Sequence, residues 1–201
     1  MESEIMYIKY GKRCLDLLLS TCGLILLSPV FLIISIAIKM NSKGPIFFKQ
    51  ERTGKDNQPF YIYKFRTMRI DTPKNIPTHL LENPDAYITH VGKFLRLTSL
   101  DELPQLWNIC KGDMAIVGPR PSLLNQVDLN TLRDQNGASR VRPGLTGLAQ
   151  ISGRDELPIE VKAKLDGQYA NHITFLQDVY LFFATFISVL RQDGIKEGKA
   201  S

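Results

Sequence analysis

Leu17-Leu18-Leu19-Ser20-Thr21-Cys22-Gly23-Leu24-Ile25-Leu26-Leu27-Ser28-Pro29-Val30-Phe31-Leu32-Ile33-Ile34-Ser35-Ile36-Ala37-Ile38 carries no charged side chain. As one straight helix it would be roughly 33 Å long, enough to cross a bilayer. Three features argue against a simple crossing. Ser28-Pro29 sits in the middle, where proline kinks or breaks a helix. Lys9, Lys12 and Arg13 flank one end and Lys39 and Lys43 the other, so both ends carry the positive charge that marks the cytoplasmic side. Asp16 enters the apolar run three residues after Arg13, a spacing that lets the two pair on one helix face. Two readings follow. One is a re-entrant anchor over residues 1–40, bent at Ser28-Pro29. The other is a kinked transmembrane helix. A cleaved signal peptide fits less well, because no small-residue cleavage site follows.

Around this segment, 201 residues leave room for a proper core or for a small domain with an anchor. A net charge of +5 calls for an anionic partner such as a lipid headgroup or a nucleotide. The basic residues are scattered, without the dense run of a nucleic-acid arm, so no nucleic acid is expected. Cys14, Cys22 and Cys110 lack metal spacing and read as reduced packing residues. His79, His90 and His172 also lack it.

After a turn at 41–45, residues 46–50 and 59–66 read as strands joined by a loop over 53–58, a hairpin. In the second strand Tyr61, Tyr63 and Phe65 share one face and Ile62, Lys64 and Arg66 the other. Lys64 and Arg66 either aim together at an anion or form a solvated face. Residues 70–83, with Pro73 and Pro77, read as an irregular loop. Residues 85–97 read as a helix that ends near Ser99-Leu100-Asp101-Glu102-Leu103-Pro104-Gln105. There Ser99 or Asp101 caps the next helix, and both carboxylates lie at its positive end. Capping and solubilising a helix is one use for them; chemistry is another.

Two further stretches hold arginines. Val117-Gly118-Pro119-Arg120-Pro121 follows a short buried strand at 114–117 and fixes Arg120 in a stiff extended backbone, suited to bidentate phosphate contact. Val141-Arg142-Pro143-Gly144-Leu145-Thr146-Gly147 continues to Gly153-Arg154. Its glycines allow a ligand to approach the backbone. Helices are expected over 121–135, with Leu123, Leu124, Val127 and Leu132 inside, and over 158–170. A third, over 175–191, carries a broad apolar stripe that is either core or membrane interface. The tail after Asp193 is polar.

Together these pieces resemble the bacterial sugar transferase family, the small monotopic phosphoglycosyl transferases that act on polyprenol phosphate. The resemblance rests on the basic-flanked segment with Ser28-Pro29, on Tyr63-Lys64-Phe65-Arg66-Thr67-Met68 and on the run from Thr98 to Asn108. It also rests on Lys111-Gly112-Asp113-Met114, the Gly118–Pro121 turn and the run from Val141 to Gly147. It covers the chain in order from residue 9 to about 191, and the length is similar to the minimal catalytic form. It implies an α+β, mainly helical fold: a re-entrant helix over 1–40, a cytoplasmic catalytic domain over 41–193 with interfacial amphipathic helices, and a tail over 194–201. It implies transfer of a phospho-sugar from a UDP-sugar to undecaprenyl phosphate at the bacterial inner membrane. Asp101 is then the nucleophile and Glu102 its catalytic partner, with Mg²⁺ on one or both. Arg96, Arg120 and Lys64, and less directly Arg66 and Arg142, are the phosphate contacts. The competing reading is a non-catalytic module that binds anionic lipid at the membrane surface. It explains the charge and the apolar run but not an Asp-Glu pair beside rigid arginines.

Overall fold

The computed structural model describes residues 2–72, 86–153 and 157–191. The expected loop beyond Thr72, His79, Arg154 and the tail lie outside the described residues. The chain starts with α1 (Glu2–Met6), one π-helical turn (Tyr7–Gly11), α2 (Lys12–Leu26) and α3 (Ser28–Asn41). The helices on either side of Leu27 meet at 60°. Pro29 falls in the first turn of α3, where a missing N–H leaves nothing unsatisfied. The Ser28 hydroxyl donates to the Ile25 carbonyl at 2.8 Å, so the break caps itself. Among the described residues no single helix is long and apolar enough to cross a membrane; the bent pair together is.

The polar side chains of α2 turn towards the rest of the chain, not towards each other. Asp16 does not pair with Arg13. Its Oδ1 accepts the Ile116 N–H at 2.9 Å. Arg13 donates to the carbonyls of Ile109 and Cys110, where a cation meets the negative end of a helix. The reason is packing: α2 lies along α5 (Gln105–Lys111), and its inner polar groups find backbone partners there. Cys14 and Cys22 are exposed, contrary to the packing role expected for them, while Cys110 sits 3.1 Å from the Ser20 hydroxyl.

β1 (Phe47–Thr53) and β2 (Pro59–Phe65) form the expected antiparallel hairpin, with Phe47 opposite Phe65 and Thr53 opposite Pro59. The alternation of faces holds, but the surroundings change along β2. Tyr61 is exposed, whereas Phe65 on the same face is buried with Ile34, Ile38 and Leu95. On the other face Ile62 enters the larger core of Leu106, Ile109, Met114, Val117, Tyr169 and Leu181. Asn108 joins hairpin to helix. Its Oδ1 accepts the Tyr63 N–H at 3.0 Å and its Nδ2 donates to the Tyr61 carbonyl at 2.7 Å and to Asp113.

α4 (His90–Leu97) starts later than residue 85, capped by Thr89, whose hydroxyl accepts the Gly92 N–H. β3 (Ala115–Val117) pairs in parallel with β4 (Gly144–Thr146), a strand that three glycines in a short run do not announce. Those glycines serve backbone contact, not a ligand. A Cβ on Gly144 would run into the N and O of Gly118, and one on Gly147 into the Gly118 carbonyl. α6 (Val127–Asn136) starts well after Pro121, because the chain is first held extended: Thr53 N–H donates to the Ser122 carbonyl. Leu124 and Val127 are therefore exposed, and Leu123 and Leu129 are buried. α7 (Leu148–Ile151), α8 (Ile159–Asn171) and α9 (Phe175–Arg191) complete the fold, which is mainly helical with a small hairpin. Arg133 of α6 and Asp166 of α8 form a buried pair at 2.6 Å.

In α9 the usual polarity of a helix on a protein surface is reversed. Its inner side carries Asp178, Leu181, Thr185 and Ser188. Phe175, Leu176 (77% exposed), Val179, Phe183, Phe186 and Ile187 face outward. The outer faces of α2 and α3 do the same with Leu18, Ile25, Leu26, Leu32 and Ile33.

The close approach of Gly118 and Gly144 sets a test. Gly144→Ala must push β3 and β4 apart, an overpacking cost of about 1–3 kcal/mol or more. Thermal unfolding in detergent should show a clearly lowered midpoint for Gly144→Ala and a much smaller change for Gly23→Ala, whose added Cβ meets only the movable end of the Leu106 side chain; equal losses would make glycine content, not the strand contact, responsible.

Candidate active site

α4 ends at Thr98, and Ser99 adopts a left-handed backbone (φ 55°) that reverses the chain. This conformation is uncommon outside glycine, asparagine and aspartate. Leu100–Glu102 then forms one tight 3₁₀ turn. Neither Ser99 nor Asp101 caps α5 by its side chain; the helix starts behind Pro104. The carboxylates thus precede α5 by a turn of their own. Leu100 and Leu103 pack on the small cluster with Ile34 and Phe65, while Leu106 and Ile109 enter the main core. The 3₁₀ turn is pinned between the two clusters.

Two of the cations expected at the site, Lys64 and Arg120, meet on Glu102. Lys64 of β2 donates to its Oε1 at 2.6 Å. Arg120 reaches Oε1 with Nη2 at 2.8 Å and Oε2 with Nη1 at 3.4 Å, a two-pronged contact. Arg120 lies in the irregular segment after β3, with a carboxylate, not a phosphate, in its fork. Arg96 comes in from α4; its Nε donates to the Thr67 hydroxyl at 3.0 Å, and its charge acts on Asp101.

The other two arginines lie elsewhere. Arg66 is buried and donates to the carbonyls of Ser42 and Lys43 and to the Ser42 hydroxyl. It fastens the turn after α3 and does not share the direction of Lys64. Arg142 donates to the Gly112 carbonyl behind α5, and neither is among the charges that move Asp101 or Glu102. Asn108 and Thr67 are the residues that sequence reasoning passed over. Asn108 was detectable as a polar residue between Leu106 and Ile109 on the buried side of a short helix; Thr67 gave no signal.

The two carboxylates differ in electrostatics. Burial raises Asp101, and the Glu102 charge adds to that; Lys64, Arg96 and Arg120 pull it back, and the balance leaves its pKa pushed up to about 6. Burial also acts against ionised Glu102, but the charges and hydrogen bonds of Arg120 and Lys64 outweigh it and hold Glu102 well below the usual carboxylate range. Glu102 is therefore a fixed anion locked to two cations. Asp101 is a weakly solvated carboxylate that ionises just below neutrality, a state suited to a nucleophile or a base.

Among the described residues no group of three His, Cys, Asp or Glu side chains can hold a metal alone. Mg²⁺ does not need such a group, since it often binds one or two carboxylates together with substrate phosphates. Asp101 fits that pattern better than Glu102, whose Oε1 already accepts from both Lys64 and Arg120.

The raised pKa has a consequence for stability. The folded chain holds the Asp101 proton more tightly than the unfolded chain. This group's contribution to stability is complete below its ordinary value of 3.8 and is lost as pH rises through about 6. Asp101→Asn, which cannot ionise, should therefore raise the unfolding midpoint at about pH 8 by roughly 6–12 °C, a rise of about two pKa units being worth about 3 kcal/mol and a chain of this size gaining about 2–4 °C per kcal/mol. The gain should vanish at about pH 4. Calorimetry or fluorescence melts across this range decide it; an equal effect at both ends would contradict the raised pKa.

The comparisons with known proteins point to one family. The family model described as bacterial sugar transferase matches residues 7–192. The chain is 39% identical over 181 residues to the UDP-glucose:undecaprenyl-phosphate glucose-1-phosphate transferase of Escherichia coli (strain K12), covering 87% of this chain and 39% of that protein. It is 36% identical over 202 residues to the exopolysaccharide production protein ExoY of Rhizobium meliloti (strain 1021), covering 92% of this chain and 87% of the relative. It is 37% identical over 186 residues to the uncharacterized sugar transferase EpsL of Bacillus subtilis (strain 168), with 92% and 90% covered. The chain thus spans well under half of the first relative and most of the other two.

Proposed function

Because the chain belongs to the bacterial sugar transferase family, we propose that it moves a phospho-sugar from a UDP-sugar to undecaprenyl phosphate and releases UMP. The observation that carries this reading is the split carboxylate pair. Glu102 is neutralised by Lys64 and Arg120, and Asp101 beside it keeps a pKa near 6. The names of the relatives from Escherichia coli and Salmonella typhimurium, a glucose-1-phosphate transferase and a galactose phosphotransferase acting on undecaprenyl phosphate, support the substrate classes.

The mechanism follows from charge. An Asp101 oxygen attacks the sugar-bearing phosphorus of the diphosphate. The bond to the bridging oxygen breaks and UMP departs with that electron pair, leaving an acyl-phosphate sugar on Asp101. A phosphate oxygen of undecaprenyl phosphate then attacks the same phosphorus; the acyl–phosphate bond breaks and free Asp101 returns. Arg96 and Arg120 neutralise phosphate charge in both steps, and Lys64 helps to hold it. Glu102 keeps Lys64 and Arg120 aimed at the site. Asp101 would be the residue to hold Mg²⁺ together with the donor phosphates, and the ion would supply further charge neutralisation there. The two half-reactions use one site in turn, so a soluble donor and a lipid acceptor need not be bound together.

The fold suits a membrane surface. Residues 1–40 form the re-entrant anchor, with α2 and α3 dipping into the cytoplasmic leaflet of the bacterial inner membrane and returning at Ser28-Pro29. The outward apolar faces of α2, α3 and α9 lie against lipid, and residues 41–193 face the cytoplasm. A lipid-binding module without catalysis accounts for those faces and for the net charge, but leaves the arrangement of Asp101 with Glu102 without a use.

Given a panel of UDP-glucose, UDP-galactose and UDP-N-acetylglucosamine without lipid acceptor, the enzyme should release a stoichiometric burst of UMP from its own donor. The peptide holding Asp101 should gain the mass of one phospho-sugar, and Asp101→Asn should show neither. Intersecting lines in two-substrate kinetics, with an unmodified peptide after trapping, would establish direct attack by the lipid phosphate instead.

The topology has its own measurement. Single cysteines placed at Lys9, at Lys43 and near Asp101, in a background without native cysteines, should all label from the cytoplasmic side in inverted vesicles. A residue-9 cysteine reached only from the opposite side would replace the re-entrant anchor with a crossing helix.

A further inference from the structure

Asp178, on the inner side of α9, is 7% exposed and gathers three donors. The Tyr7 hydroxyl and Lys12 Nζ both reach its Oδ2 at 2.6 Å. The Tyr169 hydroxyl lies 2.8 Å from its Oδ1 and 3.0 Å from the Val117 carbonyl, so one proton is shared between two acceptors. The π turn explains how α1 and α2 supply two of these donors. The Lys12 N–H bonds to the Tyr7 carbonyl, five residues back. Residues five apart diverge around an α-helix but stack on a π turn, which brings Tyr7 and Lys12 to the same oxygen.

The network ends on the strand that launches Arg120. In β3 the Ile116 N–H is held by Asp16 of α2, and the Val117 carbonyl by Tyr169. Gly118 N–H donates to the Thr146 carbonyl, and three residues past Val117 Arg120 grips Glu102. We propose that Tyr169 and Asp178 are positioning residues: with Tyr7, Lys12 and Asp16 they couple the seating of the N-terminal helices to the placement of Arg120. Neither residue touches substrate. The kinetic part rests on the reading of Arg120 as a phosphate contact; the clamp itself does not. In a chain whose N-terminal helices sit in a bilayer, this arrangement sets the site only when the anchor is docked.

Tyr169→Phe removes one hydroxyl and keeps the ring in the core. Hydrogen exchange of the full-length protein in nanodiscs should rise severalfold in peptides covering residues 116–123 and stay unchanged in the hairpin, 47–65. With the preferred UDP-sugar of the panel and saturating undecaprenyl phosphate, so that the enzyme turns over, Tyr169→Phe should raise KM for the UDP-sugar about threefold to tenfold and change kcat less than about twofold. In an Arg120→Lys background the same substitution should cost less than about twofold, because the group it positions is already impaired. A uniform rise in exchange, or an equal penalty in both backgrounds, would reduce the network to a general staple and overturn the proposal. Should Tyr169→Phe not fold, Lys12→Met carries the same two measurements with the same outcomes. Absence of UMP release from the unmodified protein would overturn the functional reading, and the exchange arm would still decide the clamp.

Discussion

The Glu102 carboxylate, largely withdrawn from water between Lys64 and Arg120, is the constraint from which the site follows. A carboxylate at such a position is tolerated only with close partners, and removing one partner of a buried pair typically costs about 3–5 kcal/mol. Here the partners come from the end of β2 and from the extended turn after β3, while Glu102 sits on the 3₁₀ turn between α4 and α5. One anion thus fixes three segments that are distant in the chain. It also sets the state of its neighbour. Lys64 and Arg120 are engaged first by Glu102, so Asp101 receives only part of their charge and remains the carboxylate whose ionisation is open to its surroundings.

Around this point the fold is turned inside out in places. Buried aspartate, serine and threonine accompany leucine on the inner sides of α2 and α9, while large apolar side chains such as Leu18, Ile25, Phe183 and Phe186 cover the outer sides. In water such faces exceed what a monomer exposes and mark a membrane or partner surface. The inner polar groups are well used. Asp16, Arg13 and Lys12 hold the N-terminal helices to β3, α5 and α9 by bonds to backbone or to Asp178. The N-terminal helices are therefore fastened to the rest of the chain by hydrogen bonds and an ion pair; if they lie in a bilayer as proposed, such bonds would hold where apolar association between helices has little driving force.

Much of this was legible in the sequence where local chemistry dominates. Alternation gave the hairpin, the 3.6-residue period gave α8 and α9 nearly to the residue, and Ser28-Pro29 marked the bend. Legibility failed where distant backbone decides. Gly144 and Gly147 looked like ligand glycines because nothing local reveals that Gly118 presses against them. The helix expected from Pro121 starts at Val127 because Ser122 is engaged by Thr53, across the hairpin. Ser99 looked like a cap, since the motif Ser-x-x-Glu favours one; the pinning of Leu100 and Leu103 in the small cluster forces a reversal there instead. Of the residues now gathered around Asp101 and Glu102, Arg120 was marked by the prolines beside it, Arg96 by its spacing from Asp101 and Lys64 by its strand face, shared with Arg66. Arg66 and Arg142 carried the same signals, and only the tertiary partners at Ser42 and Gly112 separate them.

The different electrostatics of the adjacent carboxylates would give each a use in the proposed reaction. A single aspartate flanked by two or three cations would be strongly stabilised as an anion, its pKa low and its nucleophilicity correspondingly poor. Removing the cations would restore its basicity but leave nothing to receive an incoming phosphate. Glu102 resolves the conflict by sharing the cations. In the resting site it neutralises Lys64 and Arg120 and leaves Asp101 only partly stabilised. An arriving diphosphate can compete for the same guanidinium and ammonium groups, since Arg120 is held by Glu102 at an edge that is 40% exposed. Phosphate oxygens would then draw on cations already in position, next to a carboxylate that those cations never fully quenched. Preorganisation of this kind lowers the reorganisation required when charge shifts at phosphorus. On the proposed mechanism the same arrangement would serve the second half-reaction, in which another anionic phosphate must reach the same atom.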